Sequence, residues 1–155
     1  MSESATRVVA DADVLAADLL VGGASRDALD HVRSHSWLTL VASEQLLDDA
    51  EAVIATLADA ELAADWRARV EDWCELVDHP TGDHPALASA YQGSAAHVLS
   101  FDEGLGSVEA GTSLNAKLSV SVRPPDAFAR LFDAESLYEG VIGGDYPGPD
   151  RDPQA

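Results

Sequence analysis

Short apolar runs alternate with segments of helical periodicity over most of this chain. Runs typical of buried strands cover residues 7–10, 37–42, 97–100 and 120–122. Apolar residues at helical spacing cover residues 14–20, 26–35, 44–57, 60–73, 86–91, 126–132 and 135–141. Strands that alternate with helices indicate an α/β fold. We therefore expect a three-layer α/β/α sandwich around a mainly parallel central sheet of four to five strands.

Residues with cap and turn chemistry predict where these elements begin and end. The Gly22-Gly23 pair is expected to stop the first helix, and Ser25 and Ser43 are expected to cap the two longer helices that follow. Residues 76–82 contain Pro and Gly and are predicted to be a connection without regular structure. These residues thus predict where individual helices begin and end.

The length of 155 residues fits one domain. We assign residues 1–142 to this domain. From Gly143 onward the content of Gly, Pro and Asp predicts a disordered acidic tail, residues 143–155. The single cysteine, Cys74, has no partner for an internal disulfide.

The balance of charged residues restricts the possible functions of this chain. Nine Lys and Arg stand against 28 Asp and Glu, which gives a formal net charge of −19. Such a surface excludes a generic basic nucleic-acid binder and any attraction to anionic lipid. The composition resembles that of proteins from extreme halophiles, in which molar salt screens the repulsion between carboxylates. Most of the acidic residues are therefore expected to be solvated surface groups.

No segment is predicted to cross a membrane. The most apolar stretch, residues 14–24, contains the charged Asp18 and is too short to span a bilayer. The first four residues, Met-Ser-Glu-Ser, lack the positive charge that begins a secretory signal. We therefore expect a cytoplasmic protein without a membrane partner.

Acidic residues that follow strands or begin helices stand apart from the others. Asp11 closes the first strand, Asp102 comes just after the strand at residues 97–100, and Asp49 and Asp83 lie near the starts of predicted helices. In open parallel sheets, ligands bind beyond the carboxyl ends of the strands, where the strand order reverses. Asp11 and Asp102 project into that crevice if their strands are neighbours. Taken alone, each of these acids is explained as well by an ordinary role, as a helix cap, a turn former or a solvent-facing residue.

Four segments in this order carry a resemblance to a known family. Residues 8–15 are an apolar run followed by Asp, a small residue, Asp, Val and Leu, and residues 41–49 are a strand, Ser and a helix with an acid six residues after the Ser. Residues 83–102 hold an acid, a helix and a strand ending in Ser-Phe-Asp, and residues 120–128 hold a strand, Pro and a helix. Over residues 7–132 the chain resembles the PIN domain family, a small metal-dependent ribonuclease fold that includes the toxin of many toxin–antitoxin pairs.

This resemblance implies a metal site made of the four acids. Asp11 and Asp102 would be the central ligands, and Asp49 and Asp83 would bind directly or through water. Ser100 would orient Asp102 or bind the scissile phosphate. Clustered carboxylates repel one another unless a cation lies between them, and Mg²⁺ or Mn²⁺ prefers such oxygen ligands. The activity implied is metal-dependent endonucleolytic cleavage of RNA.

Two positions depart from the family pattern. The second acid of the family is normally Glu, whereas this chain has the shorter Asp49, with Asp48 and Glu44 nearby as substitutes. The family often has another Asp two residues after the fourth acid, where this chain has Gly104. The second acid is therefore the least certain member of the set.

The sequence allows two hypotheses about what this protein binds. An RNA substrate would have to be met by few basic residues inside the fold, namely Arg7, Arg33, Lys117, Arg123 and Arg130. The alternative is a PIN-like protein-interaction or regulatory module with a weak or lost metal site, because a fold does not fix a function. Further candidates are an antitoxin or other protein partner and a second copy of the chain. Leu137, Tyr138 and Val141 are expected either to dock the last helix or to form a homodimer contact.

Overall fold

This computed structural model describes residues 3–77, 85–101 and 121–150. In these ranges the strands are β1 (Arg7–Ala10), β2 (Thr39–Ser43), β3 (Glu75–Val77), β4 (His97–Leu99) and β5 (Ser121–Arg123). The helices are α1 (Ala12–Leu20), α2 (Gly23–Arg33), α3 (Glu44–Leu57), α4 (Ala60–Trp73), α5 (Pro85–Gly93), α6 (Pro125–Leu131) and α7 (Ala134–Val141). A short 3-10 helix, Glu3–Thr6, precedes β1.

The five strands form one parallel sheet in the order β3-β2-β1-β4-β5. Val8 of β1 is in register with Leu40 of β2 on one side and with His97 of β4 on the other. The central strand β1 is therefore adjacent to β4, although α1 to α5 separate the two strands in sequence.

Helices cover both faces of this sheet. The connections from β1 to β2 and from β2 to β3 run toward one edge, whereas the connection from β3 to β4 returns across the sheet. Since parallel crossovers are right-handed in nearly all proteins, α1 to α4 belong to one face and α5 to the other. Accordingly, α1 packs against α2 and α3, α3 packs against α4, and α5 packs against β2 and β1. The predicted three-layer α/β/α sandwich is confirmed.

The centre of the sheet is apolar on both faces. Val8 and Val9 of β1, Val41 of β2 and Val98 of β4 are fully buried, as expected for parallel strands between two helical layers. Burying each such side chain stabilises the fold by about 1.5 to 3 kcal/mol. At Gly93 in α5 an added Cβ would overlap the side chain of Val41, so only glycine allows α5 to approach β2 this closely.

Some predicted boundaries differ from the structure. Leu76 and Val77, expected to begin a connection, belong instead to the edge strand β3. Ser25 does not cap α2, because this helix begins two residues earlier and its N-cap is Gly22, at a φ of 82°. Ser43 does cap α3, and its side chain accepts a hydrogen bond of 3.1 Å from the amide of Leu46.

Two arginines tie neighbouring helices together. Arg33 of α2 donates to both carboxylate oxygens of Asp18 in α1, at 2.8 and 2.7 Å. Arg67 of α4 donates to Asp48 and Glu51 of α3, at 2.7 and 3.0 Å. The few positive charges of the chain are thus used in part to hold the helical layer together.

The C-terminal segment follows α7 and is described as far as residue 150. The composition predicts disorder from Gly143, whereas residues 143–150 lie against the end of α2 and the segment that precedes β2. Tyr146 and Asp150 make the contacts. No helix in the described ranges is both long and apolar enough to cross a membrane.

Candidate functional site

The strand order reverses between β1 and β4. From β1 the chain proceeds outward through β2 to β3, and it then returns to place β4 and β5 on the other side of β1. In sheets of this kind a crevice opens at the carboxyl ends of the two strands that flank the reversal. Asp11 is the first residue after β1 and Ser100 is the first residue after β4, so both lie at this crevice.

Asp11 and Ser100 are in direct contact. The hydroxyl of Ser100 donates a hydrogen bond of 2.9 Å to Oδ2 of Asp11, and the amide of Ala12 donates one of 2.8 Å to Oδ1. Asp11 is only 9% exposed and Ser100 only 3%. Both carboxylate oxygens are therefore held by the protein, and the orientation of the carboxylate is fixed.

The backbone around these two residues explains their position. The amide of Asp11 donates to the carbonyl of Leu99 at 2.8 Å, and the amide of Ser100 donates to the carbonyl of Arg123 at 3.0 Å. These bonds continue the pairing of β1 with β4 and of β4 with β5 by one residue. Asp11 also caps α1, a role for which Asp is among the preferred residue types.

Ser100 contacts Asp11, a role that was not among the two expected for it. The resemblance implied that Ser100 orients Asp102 or binds the scissile phosphate. A serine hydroxyl carries a single proton, and in this structure that proton is directed to Asp11. Ser100 therefore orients Asp11, and its expected contact with Asp102 lies outside the described residues.

Asp13 is a second carboxylate at the crevice that the sequence reasoning did not select. Its Oδ2 accepts a hydrogen bond of 3.3 Å from the amide of Phe101, and its Oδ1 accepts one of 2.7 Å from the amide of Val14. The signal was available, because Asp13 lies two residues after Asp11 at the start of the same helix. An acid in the first turn of a helix commonly stabilises the helix itself, so position alone does not mark Asp13 as a site residue.

Asp49 lies on α3 and is partly buried. Its Oδ1 accepts a hydrogen bond of 2.8 Å from the side chain of Gln45, one turn earlier on the same helix. Of the two nearby substitutes, Asp48 forms an ion pair with Arg67 on α4, and Glu44 is exposed in the first turn of α3. The ion pair commits Asp48 to the contact between α3 and α4, whereas Asp49 is hydrogen-bonded, within the described residues, only to Gln45 of its own helix.

Two of the four predicted metal ligands, Asp83 and Asp102, lie outside the described residues. Within residues 3–77, 85–101 and 121–150, no group of three or more His, Cys, Asp or Glu side chains could hold a metal ion. The described part of the site consists of Asp11, Asp13 and Ser100. Its donors are carboxylate and hydroxyl oxygens, which are the ligand types that Mg²⁺ and Mn²⁺ prefer.

Two of the arginines expected to meet RNA are engaged elsewhere, and so is Arg26, which was not among them. Arg7 forms an ion pair with Glu75 and donates to the carbonyl of Gly93, and Arg33 is bound to Asp18. Arg26 donates to the last carbonyls of α1. The remaining candidates are Arg123, at the end of β5 beside Ser100, and the exposed Arg130 of α6, whereas Lys117 lies outside the described residues.

His97 opens β4 at the opposite end of the strand from Ser100. Its ring is packed edge-on against Phe128, with ring centroids 5.8 Å apart. Burial lowers the pKa of His97 below its ordinary value, and the positive charge of Arg123 lowers it further. His97 is therefore a core residue, as its position in a strand predicts, and it does not belong to the crevice.

Comparison with known proteins identifies a family for this chain. Residues 2–154 match a family of unknown function, DUF7384. The chain belongs to this family. No curated protein and no solved structure matches it. The match includes both the crevice residues of this DUF7384 member and its C-terminal segment, residues 143–150.

Proposed function

We propose that this protein is a metal-dependent endoribonuclease of the PIN type, which cleaves RNA phosphodiesters in a salt-rich cytoplasm. The metal is Mg²⁺ or Mn²⁺, and its ligands are the carboxylates of Asp11, Asp49, Asp83 and Asp102. One observation carries the proposal. A buried Asp whose carboxylate is held by Ser100 lies at the point where the strand order reverses, which is where open parallel sheets bind their ligands.

The roles of the described residues follow from their contacts. Asp11 supplies a negative charge of fixed orientation to the cation. Ser100 and the amide of Ala12 hold that charge in place, which lowers the reorganisation that cation binding would otherwise require. Asp13 holds the backbone of Phe101 and adds negative charge to the same edge. When bound, the metal activates a water for attack on phosphorus and neutralises the charge that develops.

The strongly negative charge of −19 restricts the conditions for this activity. At low ionic strength the protein repels a polyanion, whereas the Debye length falls to about 3 Å at 1 M salt. Cleavage is therefore expected at molar KCl. Salt also weakens phosphate contacts with basic residues, so metal coordination has to contribute most of the attraction for the scissile phosphate.

A second function is favoured by one specific observation. Arg7 and Arg33, two of the five basic residues expected to bind RNA, are engaged in ion pairs inside the fold. A PIN-like module that binds an antitoxin or another protein, with a metal site that is weak or lost, needs no basic groove. The two functions differ in whether the carboxylates bind Mn²⁺ at high salt.

The deciding experiment is incubation of the purified protein with end-labelled RNA in molar KCl with Mg²⁺ or Mn²⁺. The expected result is cleavage that Asp11→Asn reduces by at least about 100-fold. The control is Asp65→Asn, which removes one negative charge from an exposed position on α4 and should leave cleavage unchanged. Cleavage that survives Asp11→Asn would point to a contaminating nuclease and would contradict the proposal.

Calorimetric titration with Mn²⁺ at the same salt separates the two functions. Binding that Asp11→Asn abolishes supports the nuclease. Absence of both binding and cleavage in the folded wild-type protein would overturn the nuclease and leave the interaction module. Circular dichroism of the variants in the same buffer establishes that they are folded.

A further inference from the structure

The ring of His35 lies under the C-terminal segment. His35 is 3% exposed, and its Nδ1 lies 2.7 Å from the carbonyl oxygen of His31 while its Nε2 lies 2.6 Å from the hydroxyl of Tyr146. A carbonyl can only accept, so Nδ1 carries the ring proton and Nε2 accepts from Tyr146. Tyr146, which makes this hydrogen bond to His35, lies 111 residues further along the chain.

Aromatic rings complete the contact around Tyr146. Its ring centroid is 5.7 Å from that of His35 and 6.0 Å from that of Tyr138. Trp37 lies between them, 5.4 Å from His35 and 5.2 Å from Tyr138 in edge-on geometry. His35, Trp37 and Tyr138 form an aromatic surface that Tyr146 covers. Contacts of this kind do not depend on charge.

Asp150 fixes the far end of the same segment. Its amide donates to the carbonyl of Ser34 at 2.9 Å, and its carboxylate accepts from the amide of Ser36 at 2.7 Å and from the hydroxyl of Ser36. The segment is therefore attached to residues 34–36 at two points, Tyr146 and Asp150, which are four residues apart. We call residues 143–150 the C-terminal strap.

The sequence of the strap suits a hinged segment. Gly143 and Gly144 both have positive φ, at 91° and 81°, and nothing lies within 4 Å of where their Cβ atoms would be. Such a pair allows the chain to turn with little restraint from its surroundings. Pro147 and Pro149, by contrast, limit the conformations of the strap itself and so reduce the entropy lost when it is ordered.

Electrostatics oppose the attachment of the strap. Its own charged residues are Asp145 and Asp150, and Asp150 lies at the C-terminal end of α2, where the helix dipole is negative. Burial raises the pKa of Tyr146, and the negative charges of Glu135, Asp150 and Asp133 raise it further. An acidic segment therefore lies against an acidic body of net charge −19, and the attraction comes from aromatic packing and hydrogen bonds.

We propose that the C-terminal strap is a salt-controlled latch, attached to the aromatic surface of His35, Trp37 and Tyr138 at molar salt and released about the Gly143-Gly144 hinge when screening is lost. The proposal does not depend on nuclease activity, because the strap lies near the amino ends of the strands, away from Asp11 and Ser100. Its consequence is that ionic strength decides whether this aromatic surface is covered by the chain itself or exposed to solvent.

The test is NMR of the full chain, labelled with ¹⁵N, at about 3 M and about 0.3 M KCl. Amide exchange of Asp150 and Ser36 reports the attachment of the strap, and cross-relaxation between the rings of Tyr146 and Tyr138 reports the aromatic contact. Amides of β1 report global unfolding. On lowering the salt, exchange at Asp150 and Ser36 should accelerate by about tenfold or more and the cross-relaxation should be lost, while β1 stays protected.

Three variants identify the cause of the release. Asp145→Asn combined with Glu135→Gln removes two negative charges next to the contact and should restore protection at low salt. The matched control, Glu61→Gln combined with Asp65→Asn, removes two exposed charges on α4 and should leave the salt dependence unchanged. Tyr146→Ala should release the strap at both salt concentrations.

Three results would overturn the proposal. Exchange at Asp150 and Ser36 that is equally slow at both salts would make the strap a permanent part of the domain. Exchange that is equally fast at both would mean that it does not attach. Loss of protection in the strap and in β1 together would show global unfolding without an independent latch.

Discussion

The hydroxyl of Ser100 donates a hydrogen bond of 2.9 Å to Oδ2 of Asp11, across 89 residues of sequence. The bond joins the residues that follow β1 and β4, the two strands between which the order of the sheet reverses. Because Ser100 is almost completely buried, water cannot readily replace its hydroxyl. The direction of the Asp11 carboxylate therefore depends on this serine.

Ser100→Ala is predicted to weaken Mn²⁺ binding about 10-fold to 100-fold, the usual effect of removing a group that orients a metal ligand. Calorimetric titration at molar KCl measures it, and RNA cleavage should fall over the same range. Ser100→Thr keeps the hydroxyl and should restore most of the affinity. Ser89→Ala is the matched control, because Ser89 is also buried and its hydroxyl accepts from the amide of Ser43 at the end of β2. Equal loss of affinity in both alanine variants would assign Ser100 a structural role only.

His97 is predicted to make the folded state sensitive to mild acid. Burial and the charge of Arg123 lower the pKa of His97 below the ordinary value of 6.5. The unfolded chain thus binds the proton more readily than the folded chain does. Stability is therefore fully present above pH 6.5 and is lost as the pH falls from there through the folded pKa.

The measurement is thermal unfolding between about pH 8 and about pH 5 at constant molar KCl, for the wild type and for His97→Gln. The melting temperature of the wild type should fall more steeply below pH 6.5 than that of the variant. The carboxylates are common to both proteins and cancel in the difference. Parallel profiles would contradict this role of His97.

Arg33→Ala is predicted to lower the free energy of unfolding by about 1 to 3 kcal/mol, between the values for exposed and buried ion pairs. The side chains of Arg33 and Asp18 are 18% and 12% exposed. Burial disfavours the charge of Arg33, but the bonds to Asp18 and Asp30 outweigh this and raise its pKa. Urea unfolding at molar KCl measures the change. Arg69→Ala, at an exposed position on α4, should change stability by less than about 0.5 kcal/mol.

Arg33→Lys tests whether geometry or charge matters in this contact. Lysine keeps the positive charge but cannot donate to both oxygens of Asp18 at once. It should recover only a minor part of the stability lost in Arg33→Ala. Full recovery would show that charge alone holds α1 and α2 together.

Two glycines in helices are predicted to respond to alanine in opposite directions. In Gly93→Ala the new Cβ overlaps the side chain of Val41, so α5 has to move from β2 at a cost of about 1 to 3 kcal/mol. In Gly140→Ala nothing lies within 4 Å of the new Cβ, and the loss of flexibility in the unfolded chain should stabilise the protein by about 0.4 to 1 kcal/mol. Urea unfolding of both variants gives the comparison. A stabilising Gly93→Ala would mean that α5 and β2 are less closely packed.

The sequence predicts the layers of this fold because the signal for each layer is local. Strands such as β1 are short apolar runs, and α3 shows one apolar face with a serine cap, so their type and order are readable without tertiary contacts. The strand β3 has no such signal. It has three residues, and Leu76 at its centre is 43% exposed. Only its pairing with β2 makes it a strand.

The crevice likewise combines features with a local sequence signal and features that depend on tertiary contacts. The position of Asp11 after a strand predicts its place at the edge of the sheet, and the structure brings it together with Ser100. The contact between Asp13 and the amide of Phe101 could not be predicted, since it depends on how the chain leaves β4. The ion pair of Arg33 with Asp18 spans 15 residues and matches no helical spacing. Long-range contacts between polar groups are set by packing and have no periodicity in the sequence.

Ion pairs and hydrogen bonds within the chain engage several arginines, and this affects the electrostatic potential that the protein presents to other molecules. Arg7, Arg26, Arg33 and Arg67 are four of its nine Lys and Arg residues, and all four are bound to carboxylates or helix carbonyls of the same chain. An approaching molecule therefore meets a chain of net charge −19, and these four arginines offer it no free positive charge. Selectivity for any ligand must then arise at contact, from coordination, stacking and shape, and long-range steering contributes little to it.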